Sequence, residues 1–192
     1  MKIVGIFAVV NHSLLSVQFE REESDEFDKV FAKWNDVVYL RQFFKDNIND
    51  LQSGFFGNIS VNEAVIQTIN EASKLESHTK RIAKRGVYDS DLTLQDLVFT
   101  SLHKNDFTIK HLQSKAYGQT YHSWLRLYAI RISKNLYVVS GGAIKLTKAM
   151  NGIPHLEDEL KKLLATQEYL KEIGLLDKDD YEYIEIKSHD KR

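Results

Sequence analysis

A chain of 192 residues with 43% hydrophobic and 28% charged residues is long and apolar enough to bury one substantial core without covalent staples, and too apolar to stay disordered. It has no cysteine, which excludes disulfides, zinc–thiolate sites, iron–sulfur ligation and cysteine nucleophiles. The net charge of −1 hides an asymmetry: Glu20 to Glu63 holds ten acidic and five basic residues, whereas Lys104 to Lys148 holds eight basic residues and one acidic residue, Asp106.

The opening MKIVGIFAVVNH is a short apolar run broken at Asn11-His12, without a small-residue cleavage site, so a strand is expected there and not a secretion signal. No run reaches the ~18 apolar residues of a membrane span, and a cytoplasmic location is expected. Residues 2–10 and 14–20 are predicted strands. Leu15, Val17 and Phe19 alternate with polar neighbours, while the first strand is apolar on both faces and is expected inside a sheet.

From Ser24, the expected N-cap, the period changes to helical: Phe27, Val30, Phe31, Trp34, Val37 and Val38 form a stripe, with a break at Asn35-Asp36. The aromatic stripe is read as core packing, not as a cofactor box. QSGFFGN is a loop. Ser60 and Glu63 then form a capping-box pair ahead of a long amphipathic helix that stops at Lys84-Arg85-Gly86. A short helix is expected over Leu94–Leu102 and a strand over Phe107–Leu112.

Trp124–Ile132 and Leu136–Leu146 make the strongest strand pair, an antiparallel hairpin turning at Ser133-Lys134-Asn135. Alternation places Trp124, Arg126 and Tyr128 on one face. On the second strand it places Tyr137, Gly141, Lys145 and Thr147 on one face, with Gly142 and Lys148 on the other. Two adjacent glycines inside a strand imply a bulge, a close helix or a close ligand. The last helix runs from His155 to Ile173 behind Pro154, the only proline, and the tail is either an edge strand or frayed. This order predicts a single α+β domain, a mainly antiparallel sheet with helices packed on one face. Residues 1–102 would be an N-terminal hairpin and helical extension, 103–176 a strand–helix core and 177–192 a tail.

Cations interleaved with aromatic rings on a sheet surface suit RNA: Lys115, Tyr117, Arg131 and Lys148 are candidates for holding phosphates or stacking on bases. The bland alternative is that Arg126 sits in a salt bridge and the tyrosines are core. His122, just before the hairpin, is an acid–base candidate by its near-neutral pKa. His103, His111 and Asp106 could be drawn as metal ligands, but no HxH or HExxH spacing is present, so neither metal nor cofactor is expected. There is no Walker A loop, dinucleotide fingerprint or nucleophile elbow.

The stretch RLYAIRISKNLYVVSGGAIKLTKAM, followed by a proline and a helix of leucines, lysines and glutamates, resembles the C-terminal half of RelE/HigB-type toxins, over about residues 110 to 173. LQSKAYGQTYHSW occupies the approach to the arginine-bearing strand. The resemblance implies a RelE-like core and a small, often ribosome-dependent endoribonuclease that cleaves mRNA by 2′-OH attack and is encoded beside an antitoxin covering its basic face. By that likeness Arg126 would stabilise the scissile phosphate. Lys145 and Lys148 would anchor neighbouring phosphates or move a proton, and His122 or Tyr128 would serve as acid or base. The acidic stretch EREESDEFD is a candidate built-in shield for the basic face. A non-enzymatic binding domain using the same hairpin, for protein or nucleic acid, and an enzyme on a small metabolite both remain open on the residues alone.

Overall fold

The computed structural model describes residues 1–102, 112–118, 122–147 and 152–188. The chain opens with β1 (Ile3–Val10) and β2 (Leu14–Phe19), passes through α1 (Glu26–Asn35), α2 (Val37–Asp46), the single turn α3 (Ile48–Leu51) and the long α4 (Val61–Arg85), and then α5 (Leu94–Leu97). Five strands and the last helix follow: β3 (Phe99–Ser101), β4 (Leu112–Tyr117), β5 (Leu125–Ser133), β6 (Leu136–Ile144), α6 (Pro154–Glu172) and, after a 3-10 segment at Lys178–Tyr183, β7 (Ile186–Lys187). The expected α+β class with a mainly antiparallel sheet is what the chain adopts. The seven strands lie in the order β3-β4-β5-β6-β2-β1-β7, all neighbours antiparallel except β2 with β6 and β1 with β7.

The expectation that helices cover one face requires correction. One core cluster joins α1, α2 and α4 to the sheet face carrying Leu14, Leu125, Leu127, Ala129, Tyr137 and Val139. The second joins Leu156, Leu163 and Leu170 of α6 to the opposite face, with Ile6, Leu15, Val17, Tyr128, Ile130 and Val138. The physical reason is in the strands: β5 and β6 are apolar on both faces, so both need a cover.

Local signals account for the element ends. Ser60 and Glu63 form the reciprocal capping box of α4, and Pro154 opens α6 at a position where its missing N–H costs nothing. Asp25, not Ser24, caps α1, accepting from Phe27 and Asp28 N–H. Asp36 divides α1 from α2 by capping the latter through Val38 and Tyr39 N–H. The helix expected over Leu94–Leu102 lasts one turn, because from Phe99 the backbone pairs with β4 instead. Of the strand expected over Phe107–Leu112, only Leu112 falls among the described residues, as the first residue of β4. The tail realises its edge-strand alternative, with Ile186 and Lys187 paired to Ile6 and Phe7.

The glycine pair is structural. β6 carries a bulge where Gly141 pairs Tyr128 while Val139 pairs Ala129, leaving Ser140 as the extra residue. A Cβ on Gly142 would lie 2.8 Å from Val30 Cγ1 and 3.1 Å from Trp34, so this position is where α1 docks. One on Gly141 would collide with the Glu159 carboxylate from α6. Around this bulge lies a buried charge network. Lys162 Nζ reaches Glu26 at 2.9 Å and Glu159 at 2.7 Å, and Lys29 bridges Glu26 to Glu22. Glu26 is fully buried. Burial pushes the Glu159 carboxyl above the ordinary glutamate range, against the pull of Lys162.

Candidate nucleic-acid interface

The bulge also sorts the predicted site residues. Because Ser140 adds one residue, Tyr137 faces the α1–α4 side with Ala129 and Leu127, while Gly141 and Ala143 face the α6 side with Tyr128 and Arg126. Tyr137 therefore does not share a face with Gly141 and Lys145, contrary to simple alternation. Trp124 is likewise not on the Arg126 face: it precedes β5, packs among Phe44 and Phe56, and donates its indole N–H to Thr68 Oγ1 at 2.9 Å.

Register brings four candidates together at one end of the sheet. Tyr117 pairs directly with Arg126, and Lys115 with Tyr128, so cross-strand neighbours on one face are cations and phenols. The Arg126 guanidinium lies 4.1 Å from the centre of the exposed Tyr117 ring, and Lys115 Nζ lies 5.6 Å from the same ring. Lys145 enters from the end of β6, its backbone N–H bonded to Trp124 O at 2.8 Å and its ammonium to Thr147 O at 2.5 Å. Burial lowers the Lys145 pKa, and the positive charges of Arg126 and Lys115 lower it further. Three cations from β4, β5 and the end of β6 thus share one field.

Arg126 is the pivot. One guanidinium nitrogen donates to both Ser123 O and Leu125 O at 2.7 Å. Burial lowers its pKa, opposed by Tyr117, Tyr128 and the buried Glu71 of α4; an arginine stays charged under such a shift. Among the described residues it is braced on backbone carbonyls and a ring, in place of the salt bridge of the bland alternative.

Arg126 and Lys145 line a hollow of about 650 Å³ with Asp50, Ser53, Phe55, Phe56, Leu146 and Thr147. The far wall comes from the turn after α3, which Leu51, fully buried, anchors to the core. His122 is exposed and stands beside this wall, its ring 5.1 Å from that of Phe55. The Phe55-Phe56 turn lies in the QSGFFGN loop, and Asp50 lies just before it in α3. Nothing local links them to a hairpin about 70 residues away in the chain.

Among the described residues, the remaining candidates do not line the hollow. Tyr128 is 1% exposed, and burial drives its phenol pKa far up, so its hydroxyl is not placed to exchange protons with a substrate. Arg131 donates to Gln95 of α5 at 2.9 Å, away from the hollow. Lys148, His103, His111 and Asp106 lie outside the described residues. Within the acidic stretch, Glu20 pairs with Lys2, Glu22 with Lys29 and Glu26 with Lys162. Among the described residues there is no group of three potential metal ligands, and no helix is long and apolar enough to cross a membrane. No family model, curated protein or solved structure matches the chain.

Proposed function

We propose that the chain is a toxin-like, RNA-directed protein that grips a sugar–phosphate backbone in the hollow at the end of its sheet. The observation that carries this reading is the convergence of Lys115, Arg126 and Lys145 beside Tyr117 and an aromatic wall. Clustered cations hold phosphates and the rings tolerate any unpaired base. In its RelE/HigB-like form the reading includes cleavage. A ribose 2′-oxygen bonds to the adjacent phosphorus, the bond to the 5′-oxygen breaks, and a proton passes from the 2′-OH to a base while the leaving oxygen gains one. Arg126 stabilises the charge that develops on the phosphate, and His122 is the exposed acid–base group at the rim. Ribosome-bound mRNA is the substrate of that form, and an antitoxin-type partner protein would neutralise the basic face.

A second reading, a non-enzymatic binding domain for nucleic acid or protein, is favoured by the bracing of Arg126 on Ser123 O and Leu125 O and by the burial of Tyr128. Both features suit a fixed positive surface more than a proton-transfer site. The test is inducible expression of wild type and Arg126→Ala in a bacterium, with growth and transcript integrity followed, and RNA binding by the purified proteins measured over 50–300 mM salt. Arrest with transcript cleavage that disappears in the variant supports the toxin. Normal growth with RNA binding that weakens steeply with salt supports the nucleic-acid-binding domain. Normal growth and no RNA binding, at confirmed soluble expression, refutes the RNA reading.

A further inference from the structure

The hollow has two chemically different walls. Arg126, Lys145, Leu146 and Thr147 come from the end of the β5–β6 hairpin, whereas Asp50, Ser53, Phe55 and Phe56 come from α3 and the turn behind it. Phe56 is partly buried and tied to the core through Trp124, their ring centres 5.3 Å apart. Phe55 is not: 54% of it remains exposed. It is nevertheless held in place. Its ring meets Phe56 edge-on at 4.9 Å and His122 at 5.1 Å. The turn that presents it runs from Gly54 to Gly57, both at positive φ (94° and 83°), closed by a Gly57 N–H to Gly54 O bond. An apolar ring fixed half in water at the mouth of a cationic hollow forgoes about half of the burial open to it, and contributes little to the core.

We infer that Phe55 is a stacking platform for one unpaired base, making the hollow a subsite for single-stranded rather than duplex RNA. This rests on the reading that the hollow takes RNA. The charges orient the nucleotide. The phosphate goes to the Arg126 and Lys145 wall, and Asp50, on the opposite wall, keeps a second phosphate from the aromatic side and leaves it to the base. Phe55 is then the residue that separates flexible single strands from a helix, since a paired base has no free face to offer it. A duplex still meets the cations but gains nothing from the ring.

The test is fluorescence-anisotropy titration of labelled single-stranded and duplex RNA of equal length against wild type, Phe55→Ala, Phe55→Trp and Arg126→Ala, each over a salt series. Because Phe55 is exposed, its variants are expected to keep the wild-type circular dichroism and melting. Phe55→Ala should weaken single-strand binding about tenfold or more, as expected for the loss of one base–aromatic stack. It should leave duplex binding and the salt slope unchanged, and Phe55→Trp should restore the affinity. Arg126→Ala should instead lower the salt slope by about one. Equal loss on single strand and duplex, no loss in Phe55→Ala, or failure of Phe55→Trp to rescue overturns the platform while leaving the RNA reading standing. Absence of RNA binding by wild type overturns both.

Discussion

Replacing Lys162 with methionine removes an ammonium that bridges α6 to the start of α1, while keeping a side chain of similar length. Lys162 Nζ contacts Glu26 at 2.9 Å and Glu159 at 2.7 Å, in a site where the lysine side chain is 13% exposed and those of the two glutamates 1% and 10%. Breaking a buried pair from one side costs about 3–5 kcal/mol, because the partner charge stays buried and uncompensated. Here Lys29 still reaches Glu26 at 3.2 Å, so the loss falls mainly on Glu159, and about 3 kcal/mol is expected at pH 8. With a urea slope of about 2 kcal/mol/M, the unfolding midpoint should fall by about 1.5 M.

The penalty should depend on pH in a definite direction. Lys162 has a raised pKa, so its own charge is complete below the ordinary lysine value of 10.5 and is lost only as pH rises through the folded value; between pH 4 and 8 the pH dependence comes from its partner carboxylate. Glu159 has a raised pKa. The folded state therefore binds its proton more tightly than the unfolded state does, and stability falls as pH climbs above 4.5. Without Lys162 that fall is steeper. The gap between wild type and variant should be small at pH 4 and full at pH 8, and a Glu159→Gln change added to Lys162→Met should recover part of it. Urea unfolding followed by tryptophan fluorescence at both pH values reads this directly. A cost under 1 kcal/mol at pH 8, or an equal cost at pH 4, would refute the reasoning.

Gly142→Ala should destabilise by about 1–3 kcal/mol, since its Cβ would meet Val30 Cγ1 at 2.8 Å and Arg126 O at 3.0 Å, the latter backbone that yields little; trimming the facing side chain in Gly142→Ala/Val30→Ala should cost less than the sum of the single changes, as chemical denaturation would show. Asn135→Ala should cost about 2–3 kcal/mol in the same assay. That side chain accepts from Leu94 N–H and donates to Ser13 Oγ and Ala83 O, joining the hairpin turn to the β1–β2 turn, α4 and α5. An effect near zero would mean that water replaces these bonds.

Much of this was legible along the chain. Periodicity placed α1, α2, α4 and α6. The Ser60–Glu63 box and the proline marked helix starts within a residue, and β1, β2, β5 and β6 could be read because alternation and apolar runs are local. The convergence of Arg126 with Lys115 and Lys145 was half legible, since an antiparallel hairpin makes neighbours of residues close in sequence. The glycine pair left a bulge open as one of its three readings, but not which residue was extra; that residue, Ser140, moved Tyr137 to the other face. The glycine pair announced a special position, but only the docked α1 and α6 say which side each glycine serves.

What the sequence determined by itself is therefore the class of the fold, the ends of the long α4 and the start of α6, and the basic character of the late hairpin, all of which arise from interactions within a few residues or across one turn. Tertiary structure alone decided the parallel pairing of β2 with β6, the two-sided helical cover, the meeting of the Phe55 turn with Arg126, and the Glu26–Lys162 contact across 136 positions. Each of these depends on which distant surfaces bury each other best, a choice made by the summed packing of the whole chain that no local pattern encodes.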